Sequence, residues 1–172
     1  MSLLASVIQR GTRGAQPAAN TVAPGVLYCV TDEGRIVERS TGSAWEAYGP
    51  GRTFPIAFEW DGQGSAVTAG ATSVVIAEVP VACLITAARI TAPLGSGSAV
   101  VDLWVDSYAN YPPTVADTIT ASAKPTLSSA QKAEDTTLTG WSPTLAAGDY
   151  IAGIVDSADV TRLRVDLTCV LL

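Results

Sequence analysis

At 172 residues the chain is long enough for one domain of ordinary size plus a short appendage, and its core needs no disulfide staples. Hydrophobic residues at 48% against 15% charged exclude a disordered chain. The net charge of −6 argues against a partner held through its phosphate backbone, so no nucleic acid is expected. So few surface charges predict that part of the surface is covered in an oligomer.

The first ten residues carry too short an apolar run, and no basic stretch, for a signal peptide. Later apolar stretches are broken by Glu78, Pro80 and Arg89 before they reach membrane-spanning length. The expectation is synthesis in a cytoplasm without membrane insertion. Residues 1–23 are small and polar and carry Arg10 and Arg13 with no acid, which predicts an extended N-terminal arm acting as a tether.

Residues 24–50 change character. Strand-like runs at 25–31 and 35–39 flank the turn Asp32-Glu33-Gly34, and a third short run covers 44–48. Tyr28, Trp45 and Tyr48 give this three-stranded module an aromatic face. Three short strands are marginal alone, so the module should pack on copies of itself or on a partner. With Arg10 and Arg13, these aromatics are the expected anchoring and oligomerisation residues. Gly49-Pro50-Gly51 is the strongest break in the chain and marks the expected domain boundary.

From residue 51 to 172, β-branched and apolar runs recur between turn signals, at 56–60, 73–79, 83–91, 99–105, 114–121, 150–155 and 161–171. That spacing predicts an all-β domain, an antiparallel β-sandwich of the jelly-roll kind. In the last run Leu163, Val165, Leu167, Cys169 and Leu171 should face the core, with Arg162, Arg164, Asp166 and Thr168 facing water. Residues 123–138 contain the one helix-compatible segment, 128–134, which is expected to be loop or a single helical turn.

The chain has no histidine, which removes His-based acid–base catalysis, His-activated nucleophiles and His-ligated zinc. Glu59 and Asp61 flank Trp60 at a spacing permissive for a glycosidase pair, but Asp61-Gly62 is better read as a plain turn. Asp102, Trp104 and Asp106 should share one solvated strand face, where an indole between carboxylates could stack a sugar, although Trp104 in a subunit interface or under a loop is the plainer reading. Tyr108 and Tyr111, beside Pro112-Pro113, extend that candidate ligand site as an aromatic loop. Asp149, Asp156 and Asp159 lie near turns, and turn chemistry explains them better than calcium. Cys29, Cys83 and Cys169 are read as buried free thiols. No enzyme activity, cofactor or metal is expected.

Two stretches carry a resemblance. Pro24-Gly-Val-Leu-Tyr-Cys-Val-Thr-Asp-Glu-Gly34 and Ser40-Thr-Gly-Ser-Ala-Trp-Glu46 resemble the short β-module near the start of bacteriophage tail-fibre, minor tail and related appendage proteins, through Gly-x-Leu-Tyr, Thr-Asp and Gly-x-x-Trp. Cys29 departs from the pattern, which favours an aromatic or aliphatic residue there. The second stretch runs from Ile90-Thr-Ala-Pro-Leu-Gly-Ser-Gly-Ser98 through Val105-Asp-Ser-Tyr108, Pro112-Pro-Thr114, Lys124-Pro-Thr-Leu127 and Leu138-Thr-Gly-Trp141 to Ala147-Gly-Asp149. It is similar to the β-sandwich that ends many of these proteins. The resemblance implies a virion component, a homotrimer whose N-terminal part anchors to other virion proteins while the sandwich faces outward toward a host-surface glycan or another virion protein. A capsid decoration or head-fibre protein is a second placement. The carbohydrate-binding module of a secreted enzyme is a third.

Overall fold

The computed structural model describes residues 8–33, 36–48 and 53–172, and the chain divides into two compact units between Arg52 and Thr53. The Gly49-Pro50-Gly51 break lies outside the described residues.

In the first unit, β1 (Ile8–Gly11), β2 (Leu27–Val30), β3 (Val37–Ser40) and β4 (Trp45–Ala47) form one sheet in that order. The hairpins expected from the turn signals are present, but residues 8–23 are not a free arm. β1 pairs parallel to β2, from Ile8 opposite Leu27 to Gly11 opposite Val30. The segment that follows is stitched down by side chains. The Arg13 guanidinium reaches Glu38 and Glu33, both at 2.7 Å, and Gln16 Nε2 donates to Glu38 at 2.6 Å. Glu38 is buried, so a cation beside it offsets the cost of taking its charge out of water. The Tyr28 hydroxyl donates to Thr12 O and the Trp45 indole to Pro17 O. A fourth strand and these contacts supply the packing that three short strands lack.

The second unit is all β. Its strands are β5 (Thr53–Asp61), β6 (Val75–Glu78), β7 (Cys83–Thr91), β8 (Gly97–Ser107), β9 (Thr126–Ala130), β10 (Lys132–Asp135), β11 (Thr144–Leu145), β12 (Asp149–Ala158) and β13 (Arg162–Leu171). One sheet runs β5-β13-β7-β10, with the two-residue β11 also against β7, and the other runs β6-β12-β8-β9. All of these pairings are antiparallel. Numbered through the eight main strands, the orders are 1-8-3-6 and 2-7-4-5, in which the chain crosses between sheets at every step except that from β8 to β9, as a jelly roll does.

Alternation explains the core. In β13, Leu163, Val165, Leu167 and Cys169 are wholly buried, while the intervening Arg162, Arg164, Asp166 and Thr168 are only partly so. Their partners across the sandwich include Leu103, Ile151 and Val155, with Phe58 and Trp60 from β5 in the same cluster. Gly153 in β12 lets the two sheets approach closely, because a Cβ at that position would stand 3.0 Å from both the Phe58 and Trp60 rings and the rings would have to give way.

Two segments differ from the expectations. Residues 123–138 form β9 and β10, which lie on different sheets with Gln131 as the crossing point. Residues 114–121 are not a strand. The Thr114 amide and hydroxyl both donate to Asp117, closing a 3-10 turn over Val115–Asp117, and a single bridge, Thr118 to Trp104, remains of the expected pairing.

The cysteine reading has a direct check. Cys83 and Cys169 are fully buried on neighbouring strands, and desolvation raises both thiols, that of Cys169 to about 12. Thiolate is the reactive form. A disulfide-exchange reagent added to the native protein at neutral pH should therefore modify no thiol but that of Cys29, which is partly exposed. All three should react once urea unfolds the chain.

Candidate functional site

The structure divides the predicted ligand site into two groups, with Asp102, Trp104 and Asp106 on the outer face of the β6-β12-β8-β9 sheet and Tyr108 and Tyr111 in the 3-10 turn that follows β8. Asp102, Trp104 and Asp106 alternate with the buried Val101 and Leu103, as expected, and pair across the sheet with Ile154, Ala152 and Tyr150. The centre of that face is not wet. Asp102, Ala152 and Ile154 are all buried.

Asp102 is the hub of a closed network. One carboxylate oxygen accepts from the Leu103 amide at 2.8 Å, the Thr118 hydroxyl at 2.7 Å and the Thr120 hydroxyl at 2.6 Å. The other accepts from Lys124 at 3.0 Å, and Lys124 also holds Asp156 at 2.7 Å. Burial pushes the Asp102 carboxyl up, but hydrogen bonds from Thr120, Thr118, Trp104 and Lys124 outweigh it and leave the group below the usual carboxylate range. The Trp104 indole N–H is buried with no partner at full hydrogen-bond geometry, although it lies near enough to Asp102 to help hold the charge. These residues tie the 117–124 segment to β8, where the Ile119 amide also donates to Leu103 O. Asp102 and Trp104 thus leave the candidate ligand site and become part of the scaffold.

Four residues along β8 the same face opens to water. Tyr108 is 73% exposed and Tyr111 51% exposed, and both rings lean on Tyr150 of β12, with centroids 5.8 Å and 5.1 Å away. Tyr150 lies between Asp106 on β8 and Glu78 on β6. Asp106 accepts from the Ser107 amide at 2.7 Å and Asn110 Nδ2 at 3.1 Å, and the Asn110 bond, then the amide, holds its carboxyl below the ordinary value. Desolvation, then the negative charge of Glu78, raises the Tyr150 phenol, which stays neutral. The result is three contiguous tyrosines beside two carboxylates.

Sequence reasoning named Asp106, Tyr108 and Tyr111 for this group but missed Tyr150, Asn110 and Glu78. Asn110 sits inside the named aromatic loop and was within reach. Tyr150 and Glu78 enter only through the register that sets β6, β12 and β8 side by side, and nothing local encodes that pairing.

The remaining candidates are spoken for. Asp61 pairs with Arg162, and Glu59 lies 3.8 Å from both Arg162 and Arg164. The Arg162 bond, then the Gln63 amide, lowers the Asp61 carboxyl, whereas a glycosidase acid needs a raised one. Asp149 accepts from the Ala146 amide three residues back, which is turn chemistry, whereas Asp159, just past the end of β12, accepts from the Ser98 amide at the start of β8, a bond between distant segments rather than within a turn. Of the predicted anchoring residues, Arg13, Tyr28 and Trp45 are used within the small sheet, with Tyr28 buried and its ring 5.8 Å from that of Trp45. Arg10 and Tyr48 remain exposed. No family model matches the chain, and no curated protein matches it.

Proposed function

We propose that the chain is a non-catalytic structural component of a bacteriophage particle, a tail fibre, spike or similar appendage whose jelly-roll domain binds a host surface or another virion protein. It is made in the host cytoplasm, carried in the virion and assembled as a homotrimer. The observation that carries this reading is the pairing of a jelly-roll strand order with a tyrosine cluster exposed beyond the end of β8, in a chain without histidine whose Glu59 and Asp61 carboxylates face arginines. Jelly rolls recur in capsid and lectin domains, which is support by analogy of fold. The appendage-like motifs at 24–46 and 90–149 give the analogy its direction.

Mass spectrometry of gradient-purified particles tests the proposal. The chain should be recovered at a fixed stoichiometry to the other virion proteins. Its absence from washed particles, or turnover of any polysaccharide by the purified protein, overturns it.

A further inference from the structure

We propose that Tyr108, Tyr111 and Tyr150, with Asp106, Asn110 and Glu78, form a subsite for a neutral saccharide. The inference rests on the reading of the jelly roll as a binding domain and names the chemistry of its ligand.

Three features select that class. The first is ring geometry. Tyr111 meets Tyr150 edge-on, at 76° and 5.1 Å, and Tyr108 is tilted 35° from Tyr150 at 5.8 Å. An ammonium cage needs rings around a shared gap, so that the cation reaches each face within about 6 Å of its centre. Here both of the other rings pack against Tyr150 itself. The exposed faces of Tyr108 and Tyr111 suit the flat C–H face of a pyranose, and each ring carries a phenol hydroxyl that can bond a sugar hydroxyl.

The second feature is charge. Asp106 and Glu78 flank Tyr150, and no cation is among the groups that act on the Asp106 carboxyl or the Tyr150 phenol. The lysine on this face, Lys124, is held by Asp102 and Asp156, four residues back along β8, or about 13 Å at strand rise. Sialic acids, uronic acids and phosphorylated or sulfated sugars meet uncompensated repulsion here. Hydroxyl groups instead find acceptors in the two carboxylates, of which Asp106 directs its Oδ1 to the Ser107 amide and Asn110.

The third feature is that the platform is built before any ligand arrives. Asp106 holds Asn110, the Tyr111 amide closes on Tyr108 O, and the Thr114–Asp117 capping box fixes the return of the loop. Little ordering remains to oppose binding.

The test uses the full chain against immobilised dextran, β-galactan and chitin oligomers as neutral probes, hyaluronan and polysialic acid as acidic ones, and choline as the cation. At least one neutral glycan should bind, with an affinity that changes little between about 0.05 and 0.5 M salt. Tyr108→Ala and Tyr111→Ala should each weaken it about tenfold, and Tyr108→Phe should stay within about threefold of wild type. Both tyrosines are exposed, so circular dichroism and the unfolding midpoint should not move. Binding confined to acidic glycans, to choline or to proteins overturns the proposal, as does neutral-glycan binding that survives both alanine variants or the absence of any glycan binding. A chain present in particles that binds no glycan defeats this inference alone. A chain that binds neutral glycan but is absent from particles defeats the virion reading alone.

Discussion

Replacing Asp102 with alanine should lower the unfolding free energy of the sandwich by about 3–5 kcal/mol, the usual cost of breaking a buried ion pair by removing one partner. Four donors converge on this carboxylate. Without it, the wholly buried Thr120 hydroxyl has lost its strongest acceptor, and Lys124 keeps Asp156 alone. Urea denaturation at pH 7 reads the loss directly, and a fall of less than about 1 kcal/mol would mean that the network contributes little. The same carboxylate makes stability depend on acid. Its folded pKa is depressed, so its contribution is complete above the unfolded value of about 4 and drains away as pH falls through the lower folded value. As the pH falls below about 4, the wild-type midpoint should therefore drop by more than that of Asp102→Ala, which has lost this source of acid sensitivity.

Phe58→Ala should cost about 3–5 kcal/mol, because the ring is almost wholly buried in the core cluster between the sheets and its removal leaves a cavity there. The informative experiment is a double-mutant cycle with Gly153→Ala. Alone, that change places a methyl group 3.0 Å from the Phe58 and Trp60 rings and should destabilise by about 1–3 kcal/mol through overpacking. Combined with Phe58→Ala, the methyl occupies part of the vacated space, so the double variant should be more stable than the sum of the single effects predicts. Simple additivity, measured by thermal or urea unfolding, would show that the close approach of the sheets at Gly153 is not what fixes a glycine there.

Strands that bury one face completely were legible in the sequence. Cys83–Thr91 has the bounds that its apolar run suggests, and β13 alternates as its residues do. β9 and β10 were not legible, because Ser128, Ser129, Gln131, Lys132 and Glu134 read as polar and helix-compatible. These strands lie at the edges of their sheets, where Leu127 and a half-buried Ala133 are enough to face the core. The β-branched run at 114–121 misled in the other direction, since the local bond from Thr114 to Asp117 competes with strand pairing. Long-range chemistry was the least visible. Nothing near Arg13 announces Glu38, and nothing near Asp102 announces Lys124, so Arg13 was read as part of a free tether and Asp102 as part of a wet face. Half of the tyrosine site was readable because Asp106, Tyr108, Asn110 and Tyr111 are neighbours in sequence. Tyr150 and Glu78 required the fold.

The position of β13 bears on how the protein is made. It is the final strand, yet it lies between β5 and β7, pairing Asp61 with Arg162 across a hundred residues of intervening chain. A nascent polypeptide on the ribosome therefore exposes β5 and β7 with a vacant slot between them until residue 171 has left the exit tunnel. Closure waits for β13, and because non-local pairing is slow, the interval before it is when chaperones or sister chains can occupy the slot.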